Sequence, residues 1–351
     1  MALPPASCLK SSHTLTRFAV TGASGFIAIQ LISDLLEAGH EVIGTLRNLS
    51  RQTELVEDLG RRGSPTEKLT FQKADLLSDD GWALAFEGCH GIFHVASPVP
   101  TINRRNDPQL LSVAVGGTLR VLEAALAAKV SRVVLTSSIA AIGNASRKVF
   151  DETDWADISP SSKISAYARS KAEAERTAWN FVAANPSLEL AVINPGVVFG
   201  PLPEADFGSS AQIIHRLLSG SIPALPPMGF EVVDVRDVAQ LEMAAMARPE
   251  ANGERYICTS ELIKLNEIAK LLRAEFGSDA KRVARLQVPA WFARALALLK
   301  PEARGFAKDI GNLNRFSNAK AKAELGFAPR PAREATLAAA RSILGLTHDS
   351  K

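Results

Sequence analysis

Apolar positions alternate between a strand-like and a helix-like spacing from Arg17 to about Ile193. Short runs rich in β-branched residues predict buried strands, and apolar residues three and four apart predict helices. The predicted strands are 17–21, 41–46, 69–74, 91–95, 132–137 and 188–193, and the predicted helices are 26–38, 51–60, 79–87, 108–128 and 163–184. This alternation predicts an α/β fold, a doubly wound parallel sheet with helices on both faces.

The pattern changes after Gly200, where prolines interrupt the apolar segments. Helical spacing returns at 264–275, 289–300 and 318–324, which predicts a smaller, mostly helical C-terminal lobe. A strand-like run from Glu231 is predicted to return to the main domain. The predicted division is a main domain at 16–200 with 231–260, a substrate-binding lobe at 201–230 and 261–345, and flexible tails at 1–15 and 346–351.

A glycine-containing turn, TGASGFIA from Thr21 to Ala28, joins the first predicted strand to the first predicted helix. This is the context of a dinucleotide-binding Rossmann fold, in which the pyrophosphate meets the free amides of a helix N-terminus. Gly22 permits the tight turn, Gly25 allows the pyrophosphate to approach, and Ala28 lets the helix pack on the strand. The predicted cofactor contacts in this turn are Gly22, Ser24, Gly25, Phe26 and Ile27.

The end of the second strand indicates which cofactor binds. An NAD-specific site usually has an acid there, for the ribose 2′-hydroxyl, whereas this chain has Arg47, with Arg51 nearby. Because guanidinium groups bind phosphates with paired hydrogen bonds, we expect NADP(H). Asp75 follows the third strand, where it either accepts from the adenine amino group or caps the next helix.

The segment from Arg132 to Lys171 carries the candidate chemistry. A buried strand delivers Ser137 and Ser138 at its end, and Tyr167 and Lys171 lie four residues apart on one helix face. A hydroxyl, a phenol and an ammonium are the groups that move a proton onto a carbonyl oxygen. The lysine charge is expected to lower the pKa of the phenol, so that it can act near neutral pH.

Composition limits the other classes of function. The 351 residues are 46% hydrophobic and 22% charged with a net charge of +3, so neither nucleic acid nor a membrane is expected as a partner. Three widely spaced cysteines, Cys8, Cys89 and Cys258, match no metal or redox motif and indicate free thiols in a reducing compartment. The N-terminus lacks an apolar signal region, and a cytoplasmic location is expected.

Six strings in the chain resemble the extended short-chain dehydrogenase/reductase superfamily: VTGASGFIA, FHVASPV, RVVLTSSIAAIG, YARSK, INPGVVFGP and VVDVRDVA. The chain is most similar to the branch of dihydroflavonol reductases, cinnamoyl-CoA reductases and carbonyl/aldehyde reductases. The resemblance implies that Ser138 is the catalytic serine, Tyr167 the proton donor and Lys171 the ligand of the nicotinamide ribose. It also implies cofactor contacts from Arg47, Asp75, Leu76, Ala96, Ser97, the loop from Pro195 to Val198, and Ser210.

Two departures separate the chain from nucleotide-sugar epimerases. Those enzymes resemble it but usually have asparagine where this chain has Ala114, and a tyrosine soon after the catalytic serine, where this chain reads SSIAAIG. Both changes favour a more apolar carbonyl substrate. The sequence therefore predicts an NADPH-dependent reductase of a small-molecule aldehyde or ketone, with substrate determinants at 97–106, 139–150 and 201–230.

Two alternatives stay open from the sequence. An alcohol dehydrogenase of the 3β-hydroxysteroid type would use the same residues in reverse, and a non-catalytic NADP-binding sensor would keep only the fold. His94 is interpreted as structural or cofactor-lining rather than as a base, and the cluster Asp234, Arg236 and Asp237 as an ion-paired tie between the lobes. The protein is expected to be a monomer, or a homodimer paired through helices 108–128 and 163–184.

Overall fold

A computed structural model of the protein describes residues 16–98, 109–143, 149–162, 164–203, 208–299, 310–311 and 313–345. Its strands are β1 (Arg17–Val20), β2 (Glu41–Leu46), β3 (Leu69–Lys73), β4 (Gly91–His94), β5 (Arg132–Thr136), β6 (Glu189–Pro195), β7 (Val197–Phe199), β8 (Gly229–Asp234), β9 (Arg255–Cys258) and β10 (Glu261–Lys264). Seven of them form a parallel main sheet in the order β3-β2-β1-β4-β5-β6-β9. The strand order reverses between β1 and β4, which is where sheets of this kind bind ligands.

Helices cover both faces of the main sheet and build the smaller lobe. They are α1 (Phe26–Glu37), α2 (Gln52–Arg61), α3 (Trp82–Phe86), α4 (Gln109–Ala127), α5 (Ala166–Ala184), α6 (Gly208–Leu218), α7 (Val235–Ala247), α8 (Leu265–Phe276), α9 (Ala290–Leu299), α10 (Ala319–Leu325) and α11 (Ala332–Ile343). Of these, α6, α8, α9 and α11 pack in the separate core of the smaller lobe. Phe18 and Val20 of β1 point to the core formed with α1, α2 and α7, and Ala19 points to the core formed with α3, α4 and α5. Because successive side chains of a strand point to opposite faces of the sheet, β1 contributes residues to two separate cores.

Helix α4 is the one described helix that is long and apolar enough to cross a membrane by length and composition alone. In the fold it lies on the main sheet, where Leu110, Val121 and Leu122 are buried. Val121 and Leu122 pack into the core under α3 and α5. A helix buried in the core of an α/β domain passes the same test, so this finding does not by itself indicate a membrane span.

The smaller lobe contains a second sheet, in which β8 pairs in parallel with β7 and antiparallel with β10. The strand predicted from Glu231 to return to the main domain forms as β8, but it lies in this second sheet; α7 and β9 are the elements that return. Gly196 explains the change of sheet, because a Cβ at this position would lie 2.2 Å from the carbonyl oxygen of Glu231. Only glycine lets the chain leave β6 so close to β8.

Ion pairs connect the lobe to the main domain, as predicted for the cluster around Arg236. The guanidinium of Arg236 binds both carboxylate oxygens of Asp234, at 2.8 and 2.7 Å, and reaches Glu334 at 3.2 Å. Asp237 accepts from the backbone amide of Arg330 at 2.7 Å and pairs with its guanidinium. The interpretation of this cluster as a tie between the lobes is confirmed.

The predicted strands and helices form, and their bounds lie within three residues of those expected, except that the strand-like run from Glu231 ends at Asp234, where α7 follows. The sequence pattern did not identify β7, β9, β10, α6, α7 or α11. Cys89 and Cys258 are buried free thiols, as expected. The predicted tails at 1–15 and 346–351, Cys8, and parts of the three expected substrate determinants lie outside the described residues.

Candidate active site

The glycine turn after β1 has the shape that a dinucleotide needs. Gly22 has a φ of +68°, and a Cβ there would lie 3.0 Å from the Cβ of Ala96; a Cβ on Gly25 would lie 3.2 Å from the carbonyl oxygen of Gly22. Helix α1 begins at Phe26 without a side-chain cap and without an acid in its first turn. Its free amides are therefore available to a phosphate, which fits the pyrophosphate of a dinucleotide cofactor.

Thr21 fixes the turn to the end of β4, a role that sequence reasoning missed. Its hydroxyl accepts from the amide of Ala96 at 2.9 Å and shares a hydrogen bond of 2.9 Å with Nδ1 of His94. Burial, with a smaller effect of Lys171, lowers the pKa of His94 to about 3. His94 is thus neutral near pH 7, and its ring binds the Thr21 hydroxyl, which in turn binds the backbone amide of Ala96. This is consistent with the interpretation of His94 as a structural residue.

Arg47 lies at the end of β2, next to the glycine turn. The hydroxyl and carbonyl of Thr45 accept from the amides of Gly22 and Ala23 at 3.1 and 2.9 Å, which brings the two segments together. Arg47 is exposed, while Arg51 turns away to pair with Glu54 at 3.5 Å. Arg47 thus presents an exposed guanidinium near the glycine turn, and its contact with a 2′-phosphate stays a prediction.

Asp75 stands at the same edge, after β3. Its carboxylate accepts from the amide of Leu77 at 3.0 Å, so it caps its own turn. The next helix, α3, begins only at Trp82 and has Gly81 at its N-cap. The interpretation of Asp75 as a helix cap is wrong, because six residues, 76–81, separate it from the first residue of α3. A role near adenine stays a prediction.

The serine, tyrosine and lysine of the candidate site come together at the end of β5. Ser165 caps α5 by accepting from the amide of Ala168 at 3.1 Å, so the helix begins at Ala166 and carries Tyr167 in its first turn. The Tyr167 phenol shares a hydrogen bond with the Ser138 hydroxyl. Lys171 lies one helical turn further, with its Nζ 3.4 Å from the carbonyl oxygen of Thr136.

The electrostatics of the site follow from burial. Burial raises the pKa of Tyr167, and the hydrogen bond from Ser138 lowers it only in part. The expectation of a lowered phenol pKa is therefore wrong for this structure. Burial lowers the pKa of Lys171 to about 8, against an opposing effect of Glu175. At neutral pH the phenol holds its proton, which suits a donor, and the lysine titrates just above neutrality.

The two serines have different partners. The hydroxyl of Ser137 donates to Oε2 of Glu175 at 2.5 Å, whereas that of Ser138 faces Tyr167. The amide of Asn194 donates both to Oε2 of Glu175 at 2.8 Å and to the carbonyl oxygen of Ser138 at 3.1 Å. Sequence reasoning did not single out Glu175, although its place four residues after Lys171 puts it on the same helix face.

Comparison with known proteins identifies the family. The model of the NAD dependent epimerase/dehydratase family matches residues 18–258. The chain belongs to this family. Rice cinnamoyl-CoA reductase 1 is 39% identical over 264 residues, 73% of this chain and 75% of that protein. Tetraketide alpha-pyrone reductase 1 of Arabidopsis thaliana is 35% identical over 268 residues, 74% of this chain and 81% of that protein.

A solved structure extends the likeness to nearly the whole chain of this epimerase/dehydratase family member. The yeast methylglyoxal/isovaleraldehyde reductase Gre2, complexed with NADPH, aligns with a TM-score of 0.75 and 25% identity, covering 94% of this chain and 100% of that one. The predicted Rossmann fold and the resemblance to the extended short-chain dehydrogenase/reductase superfamily, in its dihydroflavonol and cinnamoyl-CoA reductase branch, are confirmed.

Most of the remaining residues predicted to contact the cofactor lie at or near the carboxyl ends of the strands of the main sheet. Ser97 is half-buried just after β4, and Pro195 ends β6. Val198 is 6% exposed and packs in the main core. Leu76 is half-buried against α4, and Ser210 is half-buried on α6 in the smaller lobe. Their contacts with a cofactor stay predictions.

Proposed function

We propose that this protein is an NADPH-dependent reductase that delivers a hydride to the carbonyl carbon of an aldehyde or ketone. The observation that supports this most strongly is the hydrogen bond between the Tyr167 phenol and the Ser138 hydroxyl, with Lys171 one helical turn away. This arrangement lies at the carboxyl ends of the central strands, where the glycine turn also stands. A proton donor and a hydrogen-bond donor thus face one position beside the cofactor site.

The residues fit the cofactor. NADPH bound on the glycine turn supplies the hydride. Gly22 and Gly25 leave space for its pyrophosphate, the free amides of α1 would bind the phosphates, and Arg47 would bind the 2′-phosphate. Lys171 would hold the nicotinamide ribose; its Nζ lies 3.4 Å from the Thr136 carbonyl oxygen, next to the strand end that carries Ser138.

Tyr167, Ser138 and Lys171 have different roles in the proposed transfer of a proton to the substrate oxygen. Tyr167 gives its proton to that oxygen as negative charge develops there, since its raised pKa keeps the proton available at neutral pH. Ser138 donates a hydrogen bond to the same oxygen, which stabilises the developing charge. The Lys171 ammonium then stabilises the tyrosinate that is left behind.

The substrate is proposed to be an organic carbonyl compound with apolar parts. The relatives are named for a cinnamoyl thioester and a pyrone, and the yeast structure for methylglyoxal and isovaleraldehyde. In this chain the absence of the epimerase asparagine and tyrosine supports the same class. Tyr167 and Lys171 are both present, which supports an enzyme over a cofactor sensor.

A direct assay tests the proposal. Purified protein is mixed with NADPH and, in turn, with aldehydes, diketones, flavanonols and acyl-CoA thioesters, and NADPH oxidation is followed by absorbance. The same protein is mixed with NADP⁺ and hydroxysteroids. We expect oxidation of NADPH by at least one carbonyl class. Tight NADPH binding without turnover of any compound would favour the sensor, and turnover only with NADP⁺ and alcohols would favour the dehydrogenase.

Arg47 is predicted to set the cofactor preference. In Arg47→Asp we expect KM for NADPH to rise about tenfold or more and KM for NADH to fall, because the carboxylate repels a 2′-phosphate and accepts from a 2′-hydroxyl. Steady-state kinetics with each cofactor measure the change, and Arg61→Ala on the nearby α2 serves as the control. An unaltered ratio of the two KM values in Arg47→Asp would remove Arg47 from the cofactor site.

A further inference from the structure

Glu175 is a buried carboxylate at the back of the site, with no exposed surface. It follows Lys171 by one turn of α5, so the face that carries Tyr167 and Lys171 continues into it. Its carboxylate lies against Ser137, Asn194 and Arg255. A fully buried carboxylate with this many partners is costly unless the surrounding structure holds it, so its place beside the catalytic residues calls for an explanation.

We propose that Glu175 is a positioning residue of the reaction, which fixes the Ser137–Ser138 turn under the substrate oxygen and holds the positive charge on Lys171. The inference rests on the proposed reductase function. Glu175 acts through its neighbours and has no contact of its own with the reacting atoms. Two sets of observations carry it: the hydrogen bonds around the serines and the arrangement of charges around Lys171.

The hydrogen bonds fix the turn from two sides. Oε2 of Glu175 accepts from the Ser137 hydroxyl at 2.5 Å and from Asn194 Nδ2 at 2.8 Å. Asn194 uses the same amide group to bind the carbonyl oxygen of Ser138 at 3.1 Å. The side chain of the first serine and the backbone of the second are therefore held by one carboxylate. Since a displacement of about 1 Å can cost about 10²-fold in rate, the direction of the Ser138 hydroxyl depends on this contact.

Glu175 is also the negative charge that acts on Lys171. Besides Tyr167 on the same helix, the groups facing Lys171 are His94 from β4, which is neutral because burial holds its pKa at about 3, and the Thr136 carbonyl oxygen. Glu242 of α7 lies behind the Thr136 side chain, to which it is hydrogen-bonded at 2.6 Å, and burial raises its pKa to about 8. Removal of the Glu175 charge therefore leaves burial to lower the pKa of Lys171 further.

Arg255 is the counter-ion of Glu175. Its Nη2 lies 2.7 Å from Oε1 of Glu175, and its guanidinium stacks on the ring of Trp155 at 3.8 Å from the ring centre. Nη1 also donates to the carbonyl oxygens of Glu152 and Asp154. Because Arg255 begins β9, the ion pair also joins α5 to the edge of the main sheet, and a test must separate this structural contribution from the catalytic one.

The central variant is Glu175→Gln, which keeps the shape and removes the charge. We expect kcat for carbonyl reduction to fall about tenfold or more, with Kd for NADPH changed by less than about threefold. We also expect the alkaline decline of kcat to move to lower pH, as Lys171 loses its proton earlier. A residue that only stabilises the fold would lower the melting temperature and leave the pH at which kcat declines unchanged, which would overturn the proposal.

Two further variants keep the test decisive when Glu175→Gln folds poorly. The double variant Glu175→Gln/Arg255→Gln removes both charges of the pair, so it should recover stability while the pH profile stays shifted. Ser137→Ala keeps the charge and removes one hydrogen bond, so it should lower kcat less and leave the pH profile in place. Recovery of the wild-type profile in the double variant would contradict the role on Lys171.

Glu242→Gln is the matched control, since it replaces another fully buried carboxylate behind β5, which accepts from the Thr136 hydroxyl and pairs with no cation among the described residues. Its pH profile should match that of the wild type. The pKa of Lys171 can be measured by NMR of labelled lysine, with the Lys171 signal assigned by its absence in Lys171→Ala. This pKa should be lower in Glu175→Gln than in the wild type and unchanged in Glu242→Gln. If the wild type reduces no carbonyl compound, the proposed function fails, and the NMR titration alone decides whether Glu175 controls Lys171.

Discussion

Replacing Tyr167 with phenylalanine is expected to lower kcat for carbonyl reduction by about 10²-fold or more and to leave NADPH binding nearly unchanged. The substitution removes one hydroxyl, the proton donor that shares a hydrogen bond with Ser138. The ring remains in the first turn of α5, so the helix, the glycine turn and Lys171 keep their places. Stopped-flow or steady-state turnover gives kcat, and fluorescence titration gives Kd for NADPH.

The chain offers a matched control, because it contains only two tyrosines. Tyr256 is completely buried on β9, and its hydroxyl donates to Glu324 at 2.8 Å, far from the substrate oxygen. Tyr256→Phe should cost about 1 kcal/mol of folding stability and leave kcat near that of the wild type. Near-normal turnover of Tyr167→Phe on a good carbonyl substrate would remove Tyr167 as the donor.

Replacing Lys171 with alanine should lower kcat by about 10²-fold and also weaken NADPH binding, because one ammonium serves both the tyrosinate and the ribose. The pH profile gives a second signature. The pKa of Lys171 is lowered to about 8, so its charge is present below that pH and lost above it. Wild-type kcat should therefore decline as the pH rises through about 8, before Tyr167 with its raised pKa loses its proton.

In Lys171→Ala that decline should be absent, and what remains should follow the tyrosine at higher pH. Lys322→Ala, which removes an exposed lysine from α10, is the control and should keep both the rate and the profile. An unchanged decline near pH 8 in Lys171→Ala would assign it to another group, and Glu242, whose pKa is also raised to about 8, is the group to examine next.

Much of the site could be predicted because its determinants are local. The glycine turn needs a positive φ at Gly22 and little space at Gly25, and both are visible as residue types in eight consecutive letters. Tyr167 and Lys171 are neighbours through the helical period alone. The strand ends that carry Ser138 were predictable from the β-branched runs before them, since a buried parallel strand reads as a continuous apolar segment.

The remainder depends on distant parts of the chain. Arg255 follows Glu175 by 80 residues, and nothing local shows that β9 places them together. The direction of the Tyr167 pKa depends on burial by the surrounding fold, which outweighs the charge expected from the sequence. Helix α11 was missed because its buried face consists largely of alanines, among them Ala335 and Ala339, which differ little from the polar face in apolar character.

The position of β9 in the sequence, after part of the smaller lobe, has a consequence for recombination between related proteins. β9 is the last strand of the main sheet in sequence order, and it pairs with β6 across about 60 intervening residues. Part of the smaller lobe is encoded by those intervening residues. A single recombination crossover near residue 200 would therefore import not only new substrate loops but also a foreign sheet edge, with one parent's Arg255 facing the other parent's Glu175. New specificities are more readily gained by a two-point exchange that replaces the segment between β7 and α7 and leaves β9 in place.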